Sequence, residues 1–235
     1  MRLVWDEVGQ HFYEAGTRQG VLYPQNNSGQ YGTGVPWNGL TAVTESPSGA
    51  EETALYADDR KYLSLYSAED FGCTIEAYTY PDEWAECDGS AAIANGVYAA
   101  QQPRKGFGFS YRTVLGNDLV GESYGYKLHI VYGCKASPSE KSYATINDSP
   151  DAITFSWEVK TTPVTVTGLE KPTACLTILS TEVSDEAMAA LEDVLYGTET
   201  TQPRLPMPSE VVSIINGESG ETGETGESGE PTTGD

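Results

Sequence analysis

Two histidines, four cysteines and several acidic pairs are the side chains in this sequence that could do chemistry. His11 sits in a glycine-rich stretch. His129 falls on the polar phase of an alternating run, Tyr126–Tyr132, which predicts a surface residue rather than a general base. Cys73, Cys87, Cys134 and Cys175 stand far apart with no CxxC, so zinc-ligand spacing is absent. Asp58-Asp59, Glu69-Asp70, Asp82-Glu83 and Asp148 with Asp151 offer oxygens to calcium. None follows the EF-hand order, and each also reads as solvated loop charge. HExxH, GxSxG, the P-loop and GxGxxG do not occur; Gly106-Phe107-Gly108 lacks the third glycine. With no nucleophile–base pair and no ligand set, the expectation is a protein that is not an enzyme, with no catalytic, cofactor-binding or metal residues.

The elements that would position these side chains are strands. Lys61–Tyr66 and Cys73–Tyr80 both alternate with period two, and the polar turn Ser67–Gly72 between them predicts a paired unit. In the second run Cys73, Ile75 and Ala77 alternate with Thr74, Glu76 and Tyr78. Phe107–Val114, Tyr126–Tyr132 and Ile153–Lys160 alternate likewise; with Leu40–Thr44, Val164–Thr167 and Ala174–Ser180 they bring the count to about eight. Two packed antiparallel sheets or a barrel follow. Asp185–Tyr196 is the one long helix, with Ser184 as N-cap, acids in its first turn, Gly197 as its stop and Met188, Leu191 and Leu195 as its apolar stripe.

Around these elements the sequence predicts three irregular regions. Gly16–Leu40, rich in glycine, reads as an arm or long loop that needs a neighbour. Glu45–Asp59 reads as a long acidic loop. Thr198–Glu210 reads as a proline-bearing linker, followed by Val211–Ile215, short, apolar and β-prone, suited to adding to a sheet edge. From Gly217 glycine recurs every third residue, but Pro231 alone cannot support collagen, so residues 216–235 read as a disordered acidic tail. The body, residues 1–197, reads as a single β domain.

The net charge of the 235 residues is −22, and the last twenty residues hold six of those negative charges and no cation, which leaves about −16 on the rest. Such a surface repels nucleic acid and argues against sequence-specific DNA binding. It keeps the protein soluble, or it serves a passage through which DNA slides without sticking. The fifteen tyrosines suit strands and contact surfaces. The first residues carry no apolar core of signal-peptide length, so reduced thiols in a cytoplasm are expected, and no run approaches a membrane span.

Several strings, taken in order, resemble the major tail protein (tail tube protein) of long-tailed phages of Gram-positive bacteria. They are Gly20-Val21-Leu22-Tyr23-Pro24, Trp37-Asn38-Gly39-Leu40, Glu45-Ser46-Pro47-Ser48-Gly49-Ala50-Glu51, Leu55-Tyr56-Ala57-Asp58-Asp59, Lys61-Tyr62, and Thr74-Ile75-Glu76-Ala77 through Tyr80-Pro81-Asp82-Glu83. The resemblance runs from about Tyr13 to Thr181. It implies a mainly β fold, an antiparallel β-sandwich or half-barrel with one flanking α-helix. It also implies a virion protein, assembled in the host cytoplasm, whose six-membered rings stack into a tube for DNA ejection. The partners it implies are further copies of the chain, a tape-measure protein, and distal tail and terminator proteins. Four strands from each of six copies would close a 24-stranded barrel of ~37 Å diameter at ~4.8 Å per strand, wide enough for a duplex. Thr74, Glu76, Thr154, Ser156 and Glu158 are the candidate lumen residues, and their carboxylates would offer phosphates no cation. Tyr23, Trp37, Glu51, Tyr56 and Asp58 are the candidate ring-to-ring contacts. A different reading is a monomeric carbohydrate-binding or adhesive β-sandwich that stacks sugars on Trp5, Trp37, Trp84 and Trp157 and on its many tyrosines.

Overall fold

The computed structural model describes residues 2–146 and 151–217. In chain order it contains β1 (Phe12–Pro24), β2 (Val35–Trp37), β3 (Leu40–Glu45), β4 (Ser48–Gly49), β5 (Glu52–Ala57), β6 (Arg60–Tyr66), β7 (Glu69–Asp70), β8 (Gly72–Ala77), α1 (Trp84–Cys87), β9 (Ala91–Ala94) and β10 (Val97–Ala99). There follow β11 (Phe107–Asn117), β12 (Gly121–Ala136), β13 (Phe155–Thr161), β14 (Cys175–Leu179), α2 (Asp185–Tyr196) and α3 (Pro208–Ile215). The acidic tail beyond Gly217, and Asp148 of the last acidic pair, lie outside the described residues.

Eight strands form one antiparallel sheet in the order β2-β1-β11-β12-β13-β8-β3, with β14 also paired to β12. Strands β2 and β3 sit at opposite ends of this order, yet only Asn38 and Gly39 separate them in the chain. The sheet therefore curls back on itself into a half-barrel. A Cβ on Gly20 of β1 would stand 3.1 Å from Leu40 of β3, so a larger residue there would crowd the closure.

Strand β12 is the spine. Its Lys127–Val131 pair with β14, and Cys134–Ala136 pair with β13 on the same edge. Gly133 lies between the two stretches with φ +59°, a left-handed conformation that glycine adopts freely. It acts as a bulge: Val131 and Cys134, three residues apart, both enter one core.

That first core fills the half-barrel. Cys73, Ile75 and Ala77 of β8, Trp157 and Val159 of β13, and Phe107, Phe109 and Tyr111 of β11 point into it. Trp37, Trp84 and Trp157 meet there with ring centroids 4.7–5.6 Å apart. The indole N–H groups of Trp84 and Trp157 are buried without a hydrogen-bond acceptor. The second core lies on the other face of the same strands, where Val21, Tyr23, Leu128, Ile130 and Tyr132 receive α2 and α3. Successive residues of β1 and β12 thus alternate between two cores, which buries both faces of the central strands.

The long helix forms as its sequence predicts. The Ala187 N–H donates to Ser184 Oγ at 3.3 Å, and the Gly197 N–H donates to the Asp193 carbonyl. Ala187, Met188, Leu191 and Leu195 are buried. Arg112 of β11 fastens this helix to the sheet, paired with Glu192 and lying 4.1 Å over the Tyr126 ring.

Four expectations require correction. The stretch Gly16–Leu40 is no free arm: Gly16–Pro24 belong to β1 and Val35–Trp37 form β2, the first two strands of the sheet order. Lys61–Tyr66 does not pair with Cys73–Tyr80; β6 pairs with β5, and β8 pairs with β3 and β13. Much of the supposed loop Glu45–Asp59 is therefore strand. Val211–Ile215 is helical, not a β segment, because Pro208 starts a helix at its first position and Val211, Ile214 and Ile215 fall on one side facing the second core. The helix α3 is thus a second flanking helix. The stretch before it is pinned to the body: the Gly34 N–H donates to the Pro203 carbonyl, and the Tyr132 hydroxyl to that of Pro206, both at 2.9 Å.

Candidate functional site

The outer face of β12, β13, β8 and β3 gathers most of the candidate lumen residues. Antiparallel register sets Ser156 opposite Glu76, and Glu76 opposite Ala42. It sets Glu158 opposite Thr74, and Thr74 opposite Thr44. These side chains share one face because directly opposed residues project the same way. Thr154 precedes β13 and stands outside the ladder. Lys160 of β13 is opposed by Lys135 of β12 on the same face, and both are exposed. The expectation of a face lined by carboxylates is corrected on this point: two lysines balance Glu76 and Glu158.

A second surface projects from the body. Strands β5 and β6 form a two-stranded hairpin whose substantial contacts are with each other. Asp58 and Asp59 form its tip with φ of +52° and +58°, the conformation a tight hairpin turn demands at both central positions. Its base is the two-pair ladder of β4 with β7. Leu55 opposes Leu63, Thr53 opposes Leu65, and these three leucines share one uncovered face. Tyr56, Tyr62 and Tyr66 are about 70% exposed: 73%, 71% and 68%. Glu51, Tyr56 and Asp58 lie on or beside this hairpin and are exposed.

Tyr23 and Trp37 do not belong to that surface. Tyr23 is fully buried, with its hydroxyl donating to the Leu195 carbonyl at 2.8 Å. Trp37 is buried in the first core, with its indole N–H donating to the Thr79 carbonyl at 2.9 Å. Both are packing residues; the apolar strings that suggested contacts are interior strands. Trp84 and Trp157 are interior as well, which leaves Trp5 as the exposed tryptophan.

A third arrangement has no counterpart in the sequence reading. Glu45 at the end of β3, His129 of β12 and Cys175 of β14 place their ligand atoms within 4.8 Å of one another. His129 is buried rather than surface-exposed: β11 and β14 flank its position along the two edges of β12, Tyr111 stacks on its ring, and Glu45 at the end of β3 reaches its Nδ1. Its ring stacks on Tyr111 at 4.5 Å, nearly parallel. Burial holds its pKa below the ordinary histidine value, against the opposing pull of Glu45. The Tyr111 hydroxyl donates to Glu45 Oε1 at 2.8 Å. All four cysteines are free thiols. Burial pushes those of Cys73, Cys87 and Cys175 up to about 12. Glu45, His129 and Cys175 come from three strands distant in sequence, so no spacing motif could announce them.

A cleft of about 620 Å³ opens beside Tyr31, Gly133, Lys135 and Arg204, with no carboxylate among the described residues that line it. Among the described residues no helix is long and apolar enough to cross a membrane. No protein-family model matches the chain, and no curated protein matches it.

Proposed function

We propose that the chain is a structural virion protein, the subunit of a phage tail tube. Six copies form a ring, the rings stack, and the tube conducts DNA into the host cell. The observation that carries this reading is the β5–β6 hairpin. An isolated two-stranded hairpin is marginal in water, and this one exposes three leucines and three tyrosines that none of the described residues covers. Each half-exposed leucine would contribute about 1 kcal/mol on burial. Such a surface marks a protein–protein contact, and a head-to-tail contact of this kind elongates without closing.

The face carrying Thr74, Glu76, Ser156 and Glu158 is four strands wide, counting the end of β12. That width suits the 24-stranded bore of a hexamer, and its balanced charge offers DNA no net cationic grip. The burial of Trp37, Trp84 and Trp157 takes three of the four tryptophans away from a sugar-binding surface, leaving that reading Trp5 and the exposed tyrosines.

Electron microscopy and sedimentation of the full chain test the proposal. Six-fold rings or tubes are expected. Replacing Glu51–Tyr66 with a short glycine turn leaves the β4–β7 base and both cores, and should yield a folded monomer. A full chain that stays monomeric at every concentration refutes the reading, as does a hairpin-less variant that still polymerises.

A further inference from the structure

We propose that Glu45, His129 and Cys175 bind a divalent transition metal of the zinc class. The inference is independent of tube formation. It rests on three kinds of donor converging from three strands: a carboxylate oxygen, an imidazole nitrogen and a thiol sulfur. This mixed set matches zinc and its borderline neighbours, whereas calcium and magnesium demand mainly oxygen.

The geometry is close to a coordination shell. His129 Nδ1 already stands 3.6 Å from Glu45 Oε1. Donors around tetrahedral zinc lie roughly 3.3–3.8 Å apart, so the cluster needs to contract by about 1 Å. Glu45, at the end of its strand with a 44% exposed side chain, can supply that movement. Its open side also leaves the fourth position to water.

The surroundings orient the ligands as metal sites require. His129 Nε2 lies 3.0 Å from Thr113 Oγ1, so a proton on Nε2 donated to that hydroxyl leaves Nδ1 free to ligate. Tyr111 stacks on the imidazole and donates to the Glu45 carboxylate, which fixes both ligands. The Thr177 hydroxyl lies 3.4 Å from His129 Nδ1, at the edge of the site. The metal would clasp the end of β3 to β12 and β14, across the mouth of the first core.

The test uses the untagged full chain, reduced, stripped with a chelator and titrated with cobalt(II) as the spectroscopic probe. One cobalt per chain is expected, with a sulfur-to-cobalt charge-transfer band in the near ultraviolet, displaced by zinc. Cys175→Ser should abolish the band. His129→Gln and Glu45→Gln should each weaken binding at least tenfold. Zinc at a hundredfold excess over its Kd should raise the unfolding midpoint by about 5 °C. Because Glu45 is half-exposed, Glu45→Gln keeps the fold and remains interpretable if the buried variants do not. Absence of the sulfur band in the unaltered chain overturns the proposal. So does a Glu45→Gln affinity equal to that of the unaltered chain.

Discussion

Substituting Gly133 by alanine should destabilise the protein well beyond the usual effect of one added methyl. The residue has φ +59°, and a left-handed backbone costs an L-residue about 1–2 kcal/mol. A Cβ there would lie 2.1 Å from the Thr162 carbonyl oxygen, so the backbone at the β12–β13 junction must move by about 1 Å to reach ordinary contact. That movement disrupts the 2.9 Å hydrogen bond from the Thr162 N–H to the Gly133 carbonyl, another ~1 kcal/mol. Together with residual crowding these give about 3–4 kcal/mol, or a midpoint lowered by about 6–16 °C for a chain of this size. Gly121 supplies the control. It has the same φ of +59°, and its Cβ would meet nothing within 4 Å. Gly121→Ala should therefore lose only the backbone share, about 1–2 kcal/mol. Urea and thermal unfolding followed by far-ultraviolet circular dichroism measure both variants. If Gly133→Ala is no less stable than Gly121→Ala, the bulge between the β14-paired and β13-paired stretches of β12 is not what holds that junction.

Two further outcomes follow from single contacts. Tyr23→Phe removes the hydroxyl that donates to the Leu195 carbonyl and leaves that buried oxygen unpaired, for a loss of about 1–2 kcal/mol and a midpoint about 3–6 °C lower; an unchanged midpoint would contradict the pairing. The Asp118 carboxyl is held down to about 2, first by the Gly9 N–H and then by the His11 side chain. Because the folded value lies below the unfolded one of about 4, this tether of the N-terminal segment is intact above pH 4 and lost as pH falls through about 2. Nuclear magnetic resonance titration should place the Asp118 transition near 2, and a transition near 4 would rule the tether out.

What the sequence made legible was whatever local alternation and capping decide. The phase of Cys73–Ala77 is right because each residue faces either the first core or the outer surface, without bulges. Asp185–Tyr196 is right because Ser184 and Gly197 mark its ends chemically. What failed depended on partners. Lys61–Tyr66 and Glu52–Ala57 form a hairpin through Asp58-Asp59, where two aspartates adopt the conformation that Asn-Gly would have signalled. In Val211–Ile215 the β-branched residues suggested a strand, yet burial of Val211, Ile214 and Ile215 against α2 and the sheet overrides that propensity. The alternation of Tyr126–Tyr132 was correct, but period two cannot reveal that both faces are covered. The alternation therefore points His129 to solvent, whereas Tyr111 stacks on it and Glu45 of β3 covers it. The Glu45–His129–Cys175 cluster was hidden for the same reason: its members meet only once β3 and β14 have found β12.

The indole cluster inside the half-barrel has a bearing on how unfolding can be watched. Trp37, Trp84 and Trp157 all sit in the first core, and none of the side chains forming the second is a tryptophan. Intrinsic fluorescence, with Trp5 already in water, therefore follows the barrel interior and is nearly silent about α2 and α3. Ellipticity at helical wavelengths reports those helices directly, so a gap between the two traces would time their departure from the sheet.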